Sequence, residues 1–431
     1  MLPRHGQQSL RRVSVRHGFG ERGELLMRQI PQPPIAGDRA LWSQHQPRPR
    51  AGRFASEMID ARQIGGFVPR AGFHLKRGGA KETHTCFVTM STAMRIGVVG
   101  LGFMGLTHLK AYKNIPGVEI AAVASDDPKA LSGDLSGIQG NLGTGGETFD
   151  FGNARKFSES MDCVRAEGID AVDLCLPTHL HAPVAIEALK HGKHVLVEKP
   201  MALDGAQARE MIAAARDAGK ILMSAQVLRF FPAYLPLIEA VETGKLGRIH
   251  HAIFRRRCAA PGWSAWLTNK SLSGGGVFDL LIHDIDMMLV CFGKPDAVMA
   301  WGEEKLERGI DMITAQFIYP GLGSVTVTGG WHHPKAYPFS MEYTVTGENG
   351  VIDYSSDGRP PKWYGNDGTA VECALSEKDG YQAEIEYFVE CCRTGQQPAR
   401  CTPESSAAAV ELARIAAAAR ERKGEPVPCR L

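Results

Sequence analysis

The sequence contains no uninterrupted apolar run that approaches the roughly 18 residues needed for a membrane helix, so we predict no transmembrane span and no membrane partner. Its 10 cysteines are scattered, and only Cys391 and Cys392 lie close together. Such spacing is typical neither of a disulfide framework nor of a metal site, and it suits a reducing compartment. We therefore expect a cytoplasmic protein that binds no metal ion.

The main part of the chain also lacks a basic surface. Of the 431 residues, the first 93 contain 15 Lys/Arg and 6 Asp/Glu, which leaves 34 basic and 41 acidic residues in the remainder. Because phosphate binding requires a concentrated basic surface, this acidic remainder argues against nucleic acid as a partner.

Residues 1–93 show no sustained helix or strand periodicity and are rich in Arg, Gly, Pro and Gln. Chains of this composition bury too little apolar surface to fold, so we predict a disordered or non-native extension. A twin-arginine signal at Arg11-Arg12, a transit peptide and a basic docking tail are alternatives. We favour a mis-assigned start, with the native protein beginning at Met94.

From Met94 onward, short apolar runs alternate with helical stretches. The apolar runs lie at 94–99, 118–124, 171–176, 194–197 and 221–225, with helical stretches at about 103–114, 182–191 and 205–218. This alternation predicts βαβ units, and hence a doubly wound Rossmann domain with a parallel sheet over 94–224. The segment Ser132–Asn153 contains seven glycines and is predicted to be an irregular loop.

The second half, residues 225–431, has a different pattern. Strand-like segments at about 249–257, 296–301, 311–319, 323–329, 340–346 and 350–354 follow one another, and helices are predicted at 233–243, 278–292, 381–394 and 403–422. This order indicates an α+β domain with a large, mostly antiparallel sheet. A sheet covered on one face only favours association, so we expect a homo-dimer or homo-tetramer.

A GxGxxG motif directly follows the first strand and opens a helix. In this context Gly100 permits the turn, Gly102 allows a pyrophosphate to approach the backbone, and Gly105 allows the helix to pack on the strand. Phe103 and Met104 lie in the same motif at the helix N-terminus that would hold the phosphates. The alternative is a tight turn that binds no ligand.

An acidic residue at the end of the second strand would accept the adenosine ribose hydroxyls. The strand is followed by Ser125, Asp126 and Asp127. Asp126 would repel a 2′-phosphate and so favours NAD, whereas Ser125 is compatible with NADP. Alternatively, the two aspartates only cap the turn.

Two more motifs follow predicted strands, at the edge where ligands bind in open α/β sheets. Pro177, Thr178 and His181 form a Pro-Thr-x-x-His turn that could place polar groups near a nicotinamide; a capped surface turn is the alternative. Glu198 and Lys199 precede a proline, and Lys199 could present an ammonium group to a substrate oxygen. A solvated lysine at a strand end is equally compatible with this pattern.

The segment Ser271–Gly293 is the most informative part of the sequence. Three glycines, 274–276, precede a helix that is apolar nearly all round, which predicts burial. Asp279, His283 and Asp286 nevertheless share one face of it. Since buried charges need partners, this face borders a polar cleft or satisfies itself. Asp279 beside His283 would orient a general base; metal binding is less favoured, because a third ligand with suitable spacing is missing.

Together these motifs resemble the glucose–fructose oxidoreductase/inositol dehydrogenase family (Gfo/Idh/MocA), over about residues 94–425. The resemblance implies that Lys199 binds the reacting hydroxyl, that His283 is the general acid/base, and that Asp279 assists it. The family's Arg-Phe turn is matched by Arg229-Phe230. Gln226 stands where asparagine is common, which affects the contacts expected at the edge of the cofactor. The motifs that carry the resemblance are the GxGxxG, Pro-Thr-x-x-His, GKHVLVEKP at 192–200, and the glycine-rich Asp-x-x-x-His at 274–283.

We therefore predict an NAD(P)-dependent dehydrogenase that transfers hydride between a nicotinamide and a secondary hydroxyl of a sugar, cyclitol or glycoside. Candidate substrate contacts, because aromatic faces suit sugar rings and arginines suit hydroxyls or a carboxylate, are Arg255–Arg257 (with Arg257 foremost), Trp263, Trp266 and Trp331-His332-His333. Alternatively, these are charges on the sheet and tryptophans of the core. Two alternatives remain. One is a redox-neutral enzyme with tightly bound NAD that cleaves or epimerises glycosides, and the other is a non-catalytic NAD-binding sensor.

Overall fold

The computed structural model describes residues 93–138, 140, 146–262 and 265–431. The first of its two sheets consists of β1 (Met94–Val99), β2 (Val118–Ala124), β3 (Arg155–Phe157), β4 (Ala171–Leu174), β5 (His194–Glu198) and β6 (Leu222–Ala225). All neighbouring strands are parallel, in the order β3-β2-β1-β4-β5-β6. The predicted doubly wound sheet is therefore confirmed, with β3 added to it.

Successive strand residues point to opposite sides of this sheet, and because both sides are apolar, helices cover both faces. Leu196 belongs to the apolar core on one face, and Val195 and Val197 belong to the core on the other. The helices of this half of the chain are α1 (Phe103–Tyr112), α2 (Pro128–Leu131), α3 (Ser160–Arg165), α4 (His181–Lys190) and α5 (Gly205–Ala218). In the described part of the predicted loop, one isolated bridge joins Asp134 to Thr148.

The second sheet has nine strands. They are β7 (Ile249–Cys258), β8 (Ala297–Lys305), β9 (Ile310–Ile318), β10 (Ser324–Trp331), β11 (Ser340–Gly347), β12 (Gly350–Ser355), β13 (Arg359–Gly365), β14 (Ala370–Glu372) and β15 (Val427–Pro428). Their order is β14-β13-β12-β11-β7-β10-β9-β8-β15, and of these pairs β7 and β10 run parallel while the others are antiparallel. This confirms the mostly antiparallel sheet.

Five further helices complete the second half: α6 (Leu235–Glu242), α7 (Lys270–Ser273), α8 (Gly276–Phe292), α9 (Gly380–Thr394) and α10 (Pro403–Glu421). Helix α8 packs on β7, β9 and β10, and α10 packs on α8, β8 and α5. Helix α9 instead returns to the first sheet and packs against α1. Short 3-10 helices span Thr178–Leu180, Val227–Arg229, Leu306–Arg308 and Ala399–Cys401.

The beginning of α10 follows the expected capping pattern. Thr402 accepts a hydrogen bond from the backbone N–H of Ser405 at 3.2 Å, and Pro403 occupies the first helical position, where its missing N–H costs nothing. Among the residues that the structure describes, no helix is long and apolar enough to cross a membrane.

Candidate active site

The glycine-rich turn between β1 and α1 is shaped for a close-fitting ligand. Gly100 has φ of 96°, and a Cβ there would lie 2.3 Å from the carbonyl oxygen of Cys175. A Cβ at Gly105 would lie 2.0 Å from the oxygen of Gly100, which confirms its predicted packing role. Gly102 faces open space, and no side chain caps the first turn of α1, where Phe103 and Met104 are partly exposed. The free N–H groups of this turn suit a pyrophosphate.

Two aspartates follow β2, and the described residues form hydrogen bonds with the carboxylate of only one of them. Asp127 caps α2 by accepting from the backbone N–H of Lys129 at 2.9 Å, and Ser125 Oγ accepts from the backbone N–H of Asp127 at 3.2 Å. Asp126 is exposed, and these hydrogen bonds do not use its carboxylate. Capping therefore explains Asp127 but not Asp126, which stays a predicted ribose contact.

Lys199, at the end of β5, meets the first turn of α8. Its ammonium group donates to the backbone oxygen of Asp279 at 2.9 Å and to Asp279 Oδ1 at 3.2 Å. Their side chains are only 15% and 16% exposed, so the pair is largely shielded from water. The structure thus brings together two residues that are 80 positions apart in the sequence.

His283 lies one turn further along α8, and its environment differs from the one predicted. Asp279 pairs with the charged Lys199 rather than with His283, because a full positive charge attracts a carboxylate more strongly than a neutral ring does. His283 Nδ1 is buried and makes no hydrogen bond with the described residues. Burial, helped by the charges of Lys199 and Arg256, holds the pKa of His283 well below its ordinary value. The ring is therefore neutral at neutral pH and able to accept a proton.

The other carboxylates of α8 are satisfied inside the core. Asp286 pairs with Arg229, with Nη2 2.5 Å from Oδ1, and Asp284 pairs with Arg256, with Nε 2.7 Å from Oδ2. Arg229 also donates to the backbone oxygen of Arg400 at 3.1 Å and to Ser405 Oγ at 2.9 Å. Arg229 is therefore engaged inside the core, and its predicted contact with the substrate stays a prediction. A carboxylate on a buried helix needs a partner, and Arg229 supplies it.

Two side chains predicted to contact the cofactor instead fix the backbone around Lys199. The ring nitrogens of His181 lie 2.8 Å from the backbone oxygens of Leu176 and Pro200, and the ring is fully buried. Glu198 Oε2 accepts from the backbone N–H of Lys199 at 3.0 Å, and its other oxygen faces the protein interior. Both side chains are already engaged within the chain, and their predicted contacts with the cofactor stay predictions. The Lys199–Pro200 peptide bond is cis.

Pro177, Thr178 and Gln226 stay predicted cofactor contacts. Pro177 is partly exposed, and Thr178 is buried at the start of a 3-10 helix. Gln226 is 1% exposed, and neither atom of its amide finds a partner among the described residues. A buried amide without a partner is costly, so this group is available to a ligand or to water.

The candidate substrate residues are dispersed. Arg257 donates to Glu342 Oε1 at 2.7 Å on the sheet face opposite α8, because the neighbouring Arg256 points toward α8. Its predicted contact with the substrate stays a prediction. Trp331 is 2% exposed and packs on Gly276, so it belongs to the core. Trp266 is partly exposed and stays a prediction, and Trp263 lies outside the described residues.

Sequence reasoning missed a buried polar group beneath the site. His108 Nδ1 lies 2.8 Å from Asp173 Oδ2, and Cys175 Sγ lies 3.5 Å from the same nitrogen. These three residues carry donor atoms that a metal ion could use, although the short His–Asp hydrogen bond already joins two of them. The available signal was Asp173 itself, a carboxylate within an apolar strand, which requires a partner.

The sequence of this chain is similar to that of known oxidoreductases over most of the described residues. Residues 94–226 match the sequence profile of the Gfo/Idh/MocA oxidoreductase family with its NAD-binding Rossmann fold, and residues 234–353 match the profile of the family's C-terminal domain. Myo-inositol 2-dehydrogenase of Thermotoga maritima is 27% identical over 71% of this chain and 90% of its own length.

Two further relatives match over shorter stretches. D-glucoside 3-dehydrogenase of Escherichia coli is 38% identical over 34% of this chain, and levoglucosan dehydrogenase of Pseudarthrobacter phenanthrenivorans is 32% identical over 48% of it. The matches span only 42% and 53% of those two proteins.

Solved structures share the fold. Levoglucosan dehydrogenase in complex with NADH and levoglucosan superposes with a TM-score of 0.67 at 20% identity, covering 78% of this chain and 100% of that one. Aldose-aldose oxidoreductase of Caulobacter crescentus, complexed with glycerol, superposes with a TM-score of 0.65 at 23% identity, covering 78% and 99%.

Proposed function

Because the chain belongs to the Gfo/Idh/MocA oxidoreductase family, with an NAD-binding Rossmann domain at residues 94–226, we propose that it is a dehydrogenase acting on a secondary hydroxyl of a sugar, cyclitol or glycoside. The observation that carries this proposal is a neutral, partly exposed His283 beside the Lys199–Asp279 pair. Relatives of this chain are dehydrogenases of a glucoside, of levoglucosan and of myo-inositol, and this supports a polyhydroxylated ring as the substrate.

The residues present fit a dinucleotide. At Gly102 the turn is open, so a ligand can approach the backbone there, and the uncapped helix end offers N–H groups to the pyrophosphate. The free carboxylate of Asp126 would accept ribose hydroxyls and repel a 2′-phosphate, which favours NAD over NADP. When bound, the nicotinamide supplies the acceptor or donor of the hydride.

The chain's own residues handle the proton and the oxygen. His283 takes the hydroxyl proton, because its neutral ring has a free lone pair. The ammonium group of Lys199 stabilises the negative charge that develops on the oxygen. Asp279 holds that ammonium group in position through its carboxylate and backbone oxygen. In the reductive direction the same residues act in reverse.

The first test is the nucleotide content of the purified full chain, followed by turnover. We expect the protein to bind NAD more tightly than NADP in calorimetry, and to produce reduced-nicotinamide absorbance with at least one member of a panel of polyols, sugars and glycosides. Release of near-stoichiometric NAD on denaturation, with product formed but without net absorbance change, would favour the redox-neutral alternative. Failure to bind either nucleotide would overturn the proposal.

We also propose a homo-dimer or homo-tetramer that associates through the uncovered face of the second sheet. Trp301 and Ile318 on this face are 47% and 37% exposed, and Ile253 lies near its centre. We expect light scattering to give a multiple of 46.8 kDa, and Ile253→Glu to shift the mass toward a single chain, because burying the new charge is costly. Val371→Glu, on the exposed edge strand β14, serves as the control; equal masses for Ile253→Glu and the unmodified protein would contradict this interface.

We further propose that the protein is located in the cytoplasm. The nine cysteines of the described residues are free thiols, and most are buried, which suits a reducing compartment.

A further inference from the structure

A buried chain of contacts runs beneath α1 from β4 to Lys199. Asp173 Oδ2 lies 2.8 Å from His108 Nδ1, and His108 Nε2 lies 3.2 Å from Glu198 Oε1. The second contact is an ion pair whose angle departs from hydrogen-bond geometry. Glu198 Oε2 then accepts the backbone N–H of Lys199 at 3.0 Å. Asp173 and His108 are fully buried and Glu198 is 5% exposed, so solvent screens these contacts little.

The charges along this chain alternate in sign. Burial alone would lower the pKa of His108, but the charge of Asp173 and its hydrogen bond to the ring raise that pKa well above the ordinary value. The ring is therefore an imidazolium between two carboxylates at neutral pH.

The other titratable groups that face His108 do not alter this balance. They are Cys175 at the end of β4 and Tyr381 and Glu384 on α9. Burial raises the pKa of each of these three groups, so all three are neutral at neutral pH.

We propose that Asp173, His108 and Glu198 form a charged relay that positions Lys199 for the reaction, a proposal that rests on the function given above. None of the three touches the reacting atoms. Their effect passes through the backbone N–H of Lys199, the residue whose side chain reaches Asp279 on α8. The relay therefore couples a charge in the core of the first sheet to the placement of the ammonium group.

The physical reason lies in the cost of a buried carboxylate. If His108 lost its charge, the side chain of Glu198 would lie in the protein interior without a cation, which is costly, so it would rotate away. Lys199 N–H would then lose its acceptor, and the ammonium group would shift relative to the substrate oxygen. A displacement of about 1 Å at such a site lowers turnover on the order of a hundredfold.

Asp173→Asn tests the relay, because it removes the anion that keeps His108 protonated. At pH about 8 we expect kcat about a hundredfold below that of the unmodified protein. As the pH is lowered from about 8, His108 regains its proton beside Glu198 and kcat recovers. The unmodified protein should show no such recovery, because His108 stays charged, and His283 stays neutral, across this range. An Asp173→Asn profile parallel to that of the unmodified protein would overturn the proposal.

Two further variants separate positioning from folding. His108→Gln cannot be protonated, so it should lose kcat without recovery in acid. Asp170→Asn makes the same chemical change in the exposed pair with Arg95 just before β4, and should leave kcat and its pH profile unaltered. If the loss in Asp173→Asn instead follows the unfolded fraction measured by circular dichroism, the role is structural and the proposal is wrong.

A measurement without turnover distinguishes failure of the relay from failure of the proposed function. Nitrogen-15 NMR of labelled histidines should show His108 charged in the unmodified protein at pH about 8 and neutral in Asp173→Asn. The rate at which an amine-reactive reagent labels Lys199 should respond to that difference. A neutral His108 in the unmodified protein overturns the relay even if turnover is found, and a charged His108 with pH-dependent labelling supports it even if no tested substrate reacts.

Discussion

Replacing His283 with asparagine is expected to lower kcat by about 10²- to 10⁴-fold, the range associated with loss of a general acid/base. The reason is that His283 is a neutral nitrogen base one turn of α8 beyond Asp279, whose carboxylate is paired with Lys199. NAD affinity should change little, because the glycine-rich turn is untouched. Steady-state kinetics and calorimetric titration with NAD measure the two quantities separately.

The pH dependence of the unmodified enzyme follows from the same residue. Burial, with the charges of Lys199 and Arg256, lowers the pKa of His283 well below its ordinary value, so the ring is already deprotonated at neutral pH. For hydroxyl oxidation, kcat/KM should therefore be flat around neutrality and fall only in acid, where the ring becomes protonated. His191→Asn, on the exposed end of α4, is the matched control and should retain full activity. Full turnover by His283→Asn would refute the assignment.

Arg229→Met is expected to lower the free energy of unfolding by about 3–5 kcal/mol, the usual cost of leaving a buried charge unpaired. Arg229 and Asp286 are 5% and 1% exposed, so water cannot replace the lost partner. Combining Arg229→Met with Asp286→Leu should recover most of this loss, because an apolar pair of similar volume carries no unpaired charge. Urea unfolding of the two variants measures the difference.

The matched control for this experiment is a surface pair. Arg248 and Glu348 are 66% and 55% exposed, so Arg248→Met should cost no more than about 1 kcal/mol. The same experiment decides between the two roles considered for Arg229. If Arg229→Met raised KM and left the free energy of unfolding unchanged, the predicted substrate contact would be supported. If it lowered the free energy of unfolding and left KM unchanged, the role in the core would be supported.

The elements predicted well from sequence are those whose apolar pattern is long enough to be distinctive. Helix α8 is apolar nearly all round, and its bounds agree with the prediction within two residues at the start. Strands β3 and β14 were not predicted from the sequence. Each has only three residues, whose side chains are mostly exposed, so neither shows an alternating apolar pattern. Their pairing depends on neighbouring strands that are already in place.

Only some of the contacts in the candidate site could likewise be predicted from the sequence. Lys199, Asp279 and His283 could be grouped in advance because their motifs resemble those of the family. The partner of Asp286 was not predicted, because nothing in the sequence indicates that Arg229, on a separate element, packs against α8. Similarly, His181 follows its motif in sequence, but only the folded chain shows that two backbone carbonyls occupy both of its nitrogens.

Helix α9 has a consequence for the order in which the protein is assembled. Its residues Ile385, Phe388 and Val389 fill the core on the α1 face of the first sheet, where all three are essentially inaccessible to water. A fragment ending after β6 would carry the whole nucleotide-binding turn yet expose this apolar face. During synthesis, the core of the nucleotide-binding domain therefore cannot be completed until α9, a helix of the second half of the chain, has been made.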